Sequence, residues 1–231
     1  MNLSIIIPTY NEAANIGPLV AHLLHNGGNT LAEVIVADGG STDNTLALAT
    51  QAGARAVSAP KRGRAAQMNH GAALATGDVL YFVHADARPP ANFVGDIAQA
   101  LDEGYSSGCY RFRFDSDRWL LRLNSYFTRF DSLTVRGGDQ TLFVKRSLFE
   151  ALGGFDEYYV IMEEYDFLRR LWAKDKQTFK LIQKDVLISA RKYERNSWLR
   201  VQLANLVAMT MFRAGAAPVR IAQTYKKMLN Y

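Results

Sequence analysis

Residues 3–12 read LSIIIPTYNE, and this stretch decides the fold class. Its β-branched first half predicts a strand that Pro8 stops, and its polar second half opens a helix that extends to about residue 24. Residues 33–51 repeat the plan with an apolar strand, the turn DGGS and a second helix. A strand followed by a helix, twice in succession, is typical of α/β proteins with a parallel sheet.

The same patterns continue along the chain. Further apolar runs predict strands over residues 54–58, 79–83, 109–114, 141–144 and 179–189. Further amphipathic stretches predict helices over residues 65–75, 92–103, 119–130, 163–173 and 198–213. The run at 79–83 lacks the alternation of a half-solvated strand, so we expect it at the centre of the sheet, buried on both faces.

The composition fits one enzyme-sized globular protein. The chain has 231 residues, of which 48% are hydrophobic and 11% aromatic, so it can form an ordinary core. This argues against wholesale disorder, a collagen-like rod or a bare coiled coil. The single cysteine, Cys109, cannot form an internal disulfide, which favours a reducing compartment such as the cytoplasm. The apolar run at residues 3–8 lacks the basic start and cleavage site of a signal peptide.

Positive charge is concentrated near the C-terminus. Residues 1–188 carry 19 basic and 21 acidic side chains, whereas residues 189–231 carry 8 basic and 1 acidic. This distribution does not favour nucleic acid as a partner, because the basic tail has no recognisable nucleic-acid-binding motif. It fits an anionic membrane surface, at the inner face of the membrane, or an anionic partner.

The predicted last helix carries an apolar stripe with a spacing of four residues: Leu199, Leu203, Val207 and Met211. Polar residues interrupt the segment, and it is shorter than the about 20 apolar residues that a transmembrane span requires. We therefore expect it to pack on the domain, to pair two copies of the chain or to contact a membrane surface.

Three acids follow the carboxyl ends of predicted strands, where open parallel sheets bind ligands: Glu12, Asp38 and Asp86. Carboxylates at such an edge can accept hydrogen bonds from a base or a ribose, or bind Mg²⁺ or Mn²⁺. Each of them alone could equally be a turn residue or a helix cap. His84 lies two residues before Asp86, so in an extended segment both side chains point the same way and one metal ion could contact both.

Two further segments carry charge at predicted helix starts. Residues 61–64 read KRGR and could bind a diphosphate or form a plain solvated loop, but they lack the Gly-Lys-Ser/Thr ending of a P-loop. Residues 163–166 read EEYD. Acids in a first helical turn can offset the helix dipole or serve as a general base.

As a set, residues 4–12, 34–43 and 84–86 resemble the inverting family 2 glycosyltransferases of the GT-A fold. The His-Ala-Asp form, the triplet at 138–140 and the tail most resemble a bacterial radical-SAM-associated group, often labelled arsenosugar-biosynthesis glycosyltransferases. The resemblance implies a Rossmann-like mixed, mainly parallel sheet flanked by helices. A catalytic domain over residues 1–195 would have a nucleotide half to about residue 100 and an acceptor half beyond it, and a helical extension would follow over residues 196–231.

The resemblance also assigns roles to residues. The nucleotide pocket would comprise Pro8, Thr9, Tyr10, Glu12, Asp38, Arg64, Ala85 and Asp86. Tyr10 would pack against the base, and Asp86, the last acid of the DxD motif, would hold Mn²⁺ or Mg²⁺. His84 replaces the first acid of that motif and is a second candidate ligand. The sugar and acceptor side would comprise Gly138, Asp139, Gln140 and Arg191.

The resemblance further implies the chemistry. Glu164, with Glu163 beside it, would remove the acceptor proton while the acceptor oxygen attacks the donor sugar, usually carried on UDP, with inversion. Two alternatives remain open. A nucleotidyltransferase would show a Gly-rich basic loop after the first strand, and here residues 8–12 read PTYNE. An inactive nucleotide-sugar or membrane-associated binding protein would explain the altered DxD motif.

Overall fold

The structure, a computed structural model, describes residues 1–136 and 140–230. Its strands in chain order are β1 (Leu3–Thr9), β2 (Leu31–Asp38), β3 (Arg55–Ser58), β4 (Val79–Phe82), β5 (Ala87–Arg88), β6 (Ser107–Phe114), β7 (Leu142–Lys145) and β8 (Phe179–Ile188). Its α-helices are α1 (Ala13–Gly27), α2 (Thr45–Gln51), α3 (Arg64–Leu74), α4 (Phe93–Asp102), α5 (Trp119–Phe127), α6 (Arg146–Ala151), α7 (Glu163–Asp175), α8 (Arg191–Arg195), α9 (Trp198–Arg213) and α10 (Pro218–Met228).

The eight strands of the described residues form one sheet in the order β3-β2-β1-β4-β7-β6-β8-β5. The first four strands in that order are parallel, and β6 is parallel to β8. β7 runs antiparallel to both β4 and β6, and β5 runs antiparallel to β8. The predicted α/β architecture, with a mixed but mainly parallel sheet, is confirmed. β1, β2, β4, β6 and β8 end at the same edge of the sheet, because antiparallel β7 reverses direction between β4 and β6.

The core lies on both faces of the sheet. Successive side chains of β1 point to opposite faces, so Ile5 and Ile7 pack with residues of α1 and α4, whereas Ile6 packs with residues of α3 and α7. All four residues of β4 are buried. The prediction that this run is a central strand, buried on both faces, is confirmed.

The sequence prediction that Pro8 stops the first strand is wrong, since β1 continues through Pro8 to Thr9. β1 pairs with β4 only as far as Ile6, and beyond that point it pairs with β2 alone. Where a strand has a neighbour on one side only, fewer of its backbone N–H groups are needed for pairing. Proline, which has no N–H, is therefore tolerated at this position. The short elements β5, α6, α8 and the last helix α10 were not predicted either.

The predicted stripe on α9 packs only toward its C-terminal end, where Met211 lies against a small buried cluster. Val201, Ala204 and Ala208 are buried against the rest of the molecule, whereas Leu199 and Leu203 are 73% and 54% exposed. Small side chains let a helix approach its neighbours closely, which is why the alanine face faces inward. Among the described residues, none of the helices combines the length and the apolar character needed to cross a bilayer.

Candidate active site

The strand ends bring the predicted acids to one edge of the sheet. Asp38 is the last residue of β2, and Asp86 lies between β4 and β5. The backbone N–H of Ser189, just after β8, donates to the carbonyl of Asp86 at 3.1 Å, which brings the end of β8 to the same place. Side chains from both halves of the chain therefore meet at this edge.

Asp38 organises the turn that follows β2. Its Oδ2 accepts hydrogen bonds from the backbone N–H groups of Gly40 and Ser41, each at 2.8 Å. Its Oδ1 accepts from the Thr9 hydroxyl at 3.3 Å and from the Ser41 hydroxyl. The side chain is buried, so these donors hold the carboxylate in one orientation. The turn reading of the sequence is correct, and the carboxylate also joins the ends of β1 and β2.

Tyr10 forms an exposed platform beside this turn. Its ring is 50% exposed, and the Arg62 guanidinium carbon lies 5.8 Å from the ring centroid. The next residue, Asn11, has φ +53 and holds the loop against the turn, because its side-chain oxygen accepts from the Thr42 N–H at 2.8 Å. An exposed ring with a cation at its side can stack on a flat aromatic group.

Arg191 joins two of the predicted acids. Its Nη1 donates to Glu12 Oε2 at 2.9 Å, its Nη2 donates to Glu12 Oε1 at 2.5 Å, and Nη2 also lies 3.2 Å from Asp86 Oδ2. The hydrogen bond to Glu12 and the negative charges of both acids raise the pKa of Arg191. Arg191 and Glu12 are 179 residues apart in the sequence, so no local pattern could reveal this pair.

His84 contacts Glu164. The His84 Nε2 and Glu164 Oε1 atoms are 2.8 Å apart, and both side chains are buried. Burial alone would lower the pKa of His84, but the charge of Glu164 and the hydrogen bond to it outweigh burial, so this pKa lies above its usual value. The contact brings the first turn of α7 directly against the segment that ends at Asp86.

Glu163 contacts Arg64. The Arg64 Nε atom, from the first residue of α3, lies 2.7 Å from Glu163 Oε1, and Glu163 is only 1% exposed. Burial raises the pKa of Glu163, and the nearby Arg64 opposes this shift without cancelling it. The prediction that Arg64 belongs to the nucleotide pocket stays a prediction, and in the structure its guanidinium faces the buried carboxylate of Glu163.

Two residues with left-handed backbone conformations flank these acids. Among the described residues other than glycine, Asn11 and Met162 have positive φ, at +53 and +70. Asn11 directly precedes Glu12, and Met162 directly precedes Glu163. Asparagine tolerates this conformation, whereas for methionine it costs roughly 1–2 kcal/mol. Such strain persists only where packing enforces it, and it often occurs at functional sites. No pattern in the sequence marks Met162, and its conformation is visible only in the structure.

The remaining predicted site residues are placed as follows. Pro8 and Ala85 are buried at the ends of β1 and β4, next to Thr9 and Asp86. Gln140 is buried, and its Oε1 accepts from Arg136 Nη1 at 3.4 Å. Gly138 and Asp139 lie outside the described residues.

A divalent cation fits this edge at Asp86. No three His, Cys, Asp or Glu side chains of the described part of the chain form a metal-binding group. Mg²⁺, however, is commonly held by one or two carboxylates together with phosphate oxygens of a substrate. The Asp86 side chain is 33% exposed, so it can serve in this way. His84 Nε2 is already occupied by Glu164, which makes His84 the weaker candidate ligand.

Comparison with known proteins places the chain in a family. Residues 4–153 match the model of glycosyl transferase family 2. The chain belongs to this family. A glucosyl-3-phosphoglycerate synthase of Mycolicibacterium smegmatis is 33% identical over 96 residues, which are 38% of this chain and 32% of that protein. A PGL/p-HBAD biosynthesis glycosyltransferase of Mycobacterium tuberculosis is 31% identical over 198 residues, which are 74% of this chain and 69% of that protein.

A solved structure shows the same fold. The glucosyl-3-phosphoglycerate synthase of Mycobacterium tuberculosis, solved with Mn²⁺, UDP and phosphoglyceric acid, superposes with a TM-score of 0.66. It is 20% identical, and the match covers 93% of this chain and 79% of that one. The GT-A fold predicted from the sequence is confirmed. The prediction of an enzyme of the glycosyltransferase class is confirmed at the level of the family. The alternative that the chain is a nucleotidyltransferase is wrong.

Proposed function

We propose that this family 2 glycosyltransferase moves a sugar from a UDP-sugar to an acceptor hydroxyl, with inversion and with the help of a divalent cation. The observation that carries the proposal is the 2.8 Å contact between Glu164 and His84. It places a carboxylate from the first turn of α7 beside the segment that carries Asp86. A structural neighbour solved with Mn²⁺ and UDP supports the choice of nucleotide and metal.

In this proposal Glu164 is the general base. The acceptor oxygen forms a bond to the anomeric carbon from the face opposite the nucleotide, the bond from that carbon to the diphosphate oxygen breaks, and Glu164 takes the acceptor proton. His84 orients the Glu164 carboxylate. Asp86 would hold the divalent cation, which when bound offsets the charge that collects on the leaving diphosphate. Arg191 would contact the same diphosphate, because its guanidinium already lies beside Asp86.

The other parts of the proposal concern the nucleotide and the acceptor. Asp38 would bind the base, and the exposed Tyr10 ring would stack on it. Gly138, Asp139 and Gln140 would line the sugar and acceptor side. We further propose that residues 1–195 form the catalytic domain with 196–231 as an extension, that the protein belongs to the radical-SAM-associated group, and that it works in the cytoplasm. The His-Ala-Asp motif supports the group, and a single cysteine supports the compartment.

Calorimetric titration with UDP, GDP and dTDP, each with and without Mn²⁺, tests the proposal without knowledge of the acceptor. We expect metal-dependent binding of UDP that is lost in Asp86→Ala. Binding of GDP or dTDP instead would name a different donor nucleotide. Absence of binding to all three would overturn the proposed transfer and favour a membrane-associated protein of the same fold without catalytic activity.

The base assignment is tested with Glu164→Gln. The amide still fills the space beside His84 but cannot accept a proton, so transfer, measured as UDP release with acceptor, should fall by about 100-fold or more. UDP affinity and thermal stability should stay near wild type. The control is Glu150→Gln, which changes an exposed acid on α6 and should leave transfer, UDP affinity and thermal stability unchanged. Wild-type transfer in Glu164→Gln would contradict the assignment and point to Glu163 or Asp166.

A further inference from the structure

Helix α5 and the turn after it present an exposed apolar face to solvent. Trp119 is 71% exposed, and Leu123, Tyr126, Phe127 and Phe130 are each between 40% and 48% exposed. Their spacing places them along one side of the helix. The rings of the last three lie within 5.9–6.2 Å of one another and form a continuous aromatic surface. A contiguous apolar surface of this kind marks an interaction site.

Arginines surround this face. Residues 111–130 contain five arginines and two aspartates. Arg113, Arg122 and Arg129 line a shallow cavity of about 470 Å³ together with Trp119 and Tyr126. Asp185 also lines it, but Asp185 is paired with Arg111 at 2.9 Å. We call the five apolar residues of α5 and its turn, with Arg113, Arg122 and Arg129, the aromatic–arginine face.

The combination of charge and apolar surface identifies the occupant. A symmetric contact between two copies of this face would bring two positively charged surfaces together, so self-association is disfavoured. The phosphates of a nucleic acid could pair with the arginines, but Leu123 and Phe127 would then face its charged backbone. The surface of an anionic bilayer offers phosphates for the arginines and an acyl boundary for the apolar side chains.

The face lies beside the candidate active site. β6 ends at Phe114, which pairs with Ile188 at the end of β8, and Arg191 follows three residues later. Arg118, directly before α5, donates from Nη1 to the carbonyl of Tyr193 at 2.9 Å. A surface that contacts the aromatic–arginine face is therefore close to the sheet edge that carries Asp86 and Arg191.

We propose that the aromatic–arginine face docks the protein on an anionic lipid bilayer. The rings of Trp119, Tyr126 and Phe127 sit at headgroup level, and the arginines contact lipid phosphates. The interaction is peripheral. It does not depend on the proposed transfer, because lipid binding is measured without donor or acceptor.

The test is flotation of the full-length chain with vesicles. Vesicles of phosphatidylcholine alone are compared with vesicles that contain about one third phosphatidylglycerol, at low and high salt. We expect flotation with the anionic vesicles only, weakened by salt because surface charges are screened. Absence of binding to anionic vesicles, or equal binding to neutral ones, would overturn the proposal.

Variants locate the contact. The exposed pair Arg113→Gln/Arg122→Gln should weaken binding by about fivefold per arginine. Trp119→Ser/Phe127→Ser should weaken it by about tenfold or more, because apolar area no longer enters the boundary. Circular dichroism and thermal unfolding verify that each variant folds. Should the Trp119→Ser/Phe127→Ser variant fail to fold, the arginine pair, whose side chains are exposed, decides alone.

The matched control is Leu199→Ser/Leu203→Ser, which removes the exposed leucines of α9 instead. We expect this variant to bind lipid as the wild type does. Loss of binding in this control with full binding in both α5 variants would assign the contact to the C-terminal helix and overturn the proposal. So would a dimer in sedimentation velocity that only the α5 variants dissociate, because the face would then be covered by a second copy.

Discussion

At the scale of single residues, Asp38 has a structural task that can be separated from ligand binding. Its carboxylate accepts from two backbone N–H groups and two hydroxyls, and the side chain is 1% exposed. Asp38→Ala leaves these buried donors without a partner and should lower the free energy of unfolding by about 1–3 kcal/mol. Chemical denaturation measures this loss.

Asp38→Asn distinguishes the two tasks. The amide oxygen can still accept from the two backbone N–H groups, so Asp38→Asn should destabilise the protein less than Asp38→Ala. UDP binding should still be lost, because the proposed contact with the base requires the negative charge of the carboxylate. The control Asp102→Asn changes an exposed acid at the end of α4 and should alter neither quantity. Full UDP affinity in Asp38→Asn would contradict the proposal that the Asp38 carboxylate binds the base.

Arg191 is the second residue whose contacts lead to a prediction. In this structure its guanidinium partly neutralises the charges of Glu12 and Asp86. A metal ion bound at Asp86 would have to compete with this positive charge. Arg191→Ala should therefore raise the affinity of the ligand-free protein for Mn²⁺ by about fivefold. In the presence of metal it should weaken the binding of UDP, because the proposed contact of Arg191 with the diphosphate would be lost.

Titration with Mn²⁺ alone and then with UDP measures both effects of Arg191→Ala. Arg195→Ala is the matched control, because Arg195 lies on the same short helix α8 whereas the ion pairs of Glu12 and Asp86 are made by Arg191. A drop in Mn²⁺ affinity in Arg191→Ala would show that the arginine supports the metal site instead of competing with the ion.

At the scale of elements, the close approach of α3 to β1 positions Arg64. A Cβ atom on Gly71 would lie 2.6 Å from Cγ2 of the buried Ile6, so α3 can pack on β1 only with glycine at this position. Gly71→Ala should lower the free energy of unfolding by about 1–3 kcal/mol through overpacking. Because Arg64 opens the same helix, its contact with Glu163 should also weaken.

A second glycine inside a helix gives the matched control. A Cβ atom on Gly17 of α1 would meet no atom within 4 Å. Gly17→Ala should raise the free energy of unfolding by about 0.5–1 kcal/mol, because alanine has the higher helix propensity. Thermal denaturation of both variants checks the pair. Equal effects of the two substitutions would contradict the packing argument.

At the scale of the whole molecule, the C-terminal helices support the helix that carries the candidate base. Ile221 of α10 and Ala208 of α9 form a buried cluster with Met162, the residue directly before Glu163. Val201 and Ala204 join the large core on the α1 side of the sheet. The extension thus packs both on the core and on Met162, the strained residue directly before α7.

Ile221→Ala tests this support. Ile221 is fully buried, so the substitution should lower the free energy of unfolding by about 2–4 kcal/mol. We expect transfer to fall more than UDP affinity, because Met162 loses its packing while the nucleotide half is untouched. Val219→Ala, 53% exposed on the same helix, should change stability by about 0.5 kcal/mol or less. An equal loss of UDP affinity and transfer in Ile221→Ala would contradict the link to α7.

Local patterns determined most of the fold. The strand and helix runs up to residue 114 follow from hydrophobic periodicity and turn residues, and the acids at strand ends follow from the parallel topology that these runs imply. The short helices α6 and α8 escaped because five or six residues carry no measurable period. Helix α10 escaped because its few apolar residues are spread among basic and polar ones.

Only the tertiary structure decided which charged groups meet. Arg191 reaches Glu12 across 179 residues and Glu164 reaches His84 across 80, and no local pattern encodes such distances. The same holds for α9, where Leu199 and Leu203 of the predicted stripe are exposed, because the shape of the whole core decides which face of a helix is covered. Periodicity determines which elements form and where their ends lie. Packing between distant segments determines which side chains share an environment, and here that packing brings the candidate base to the candidate metal site.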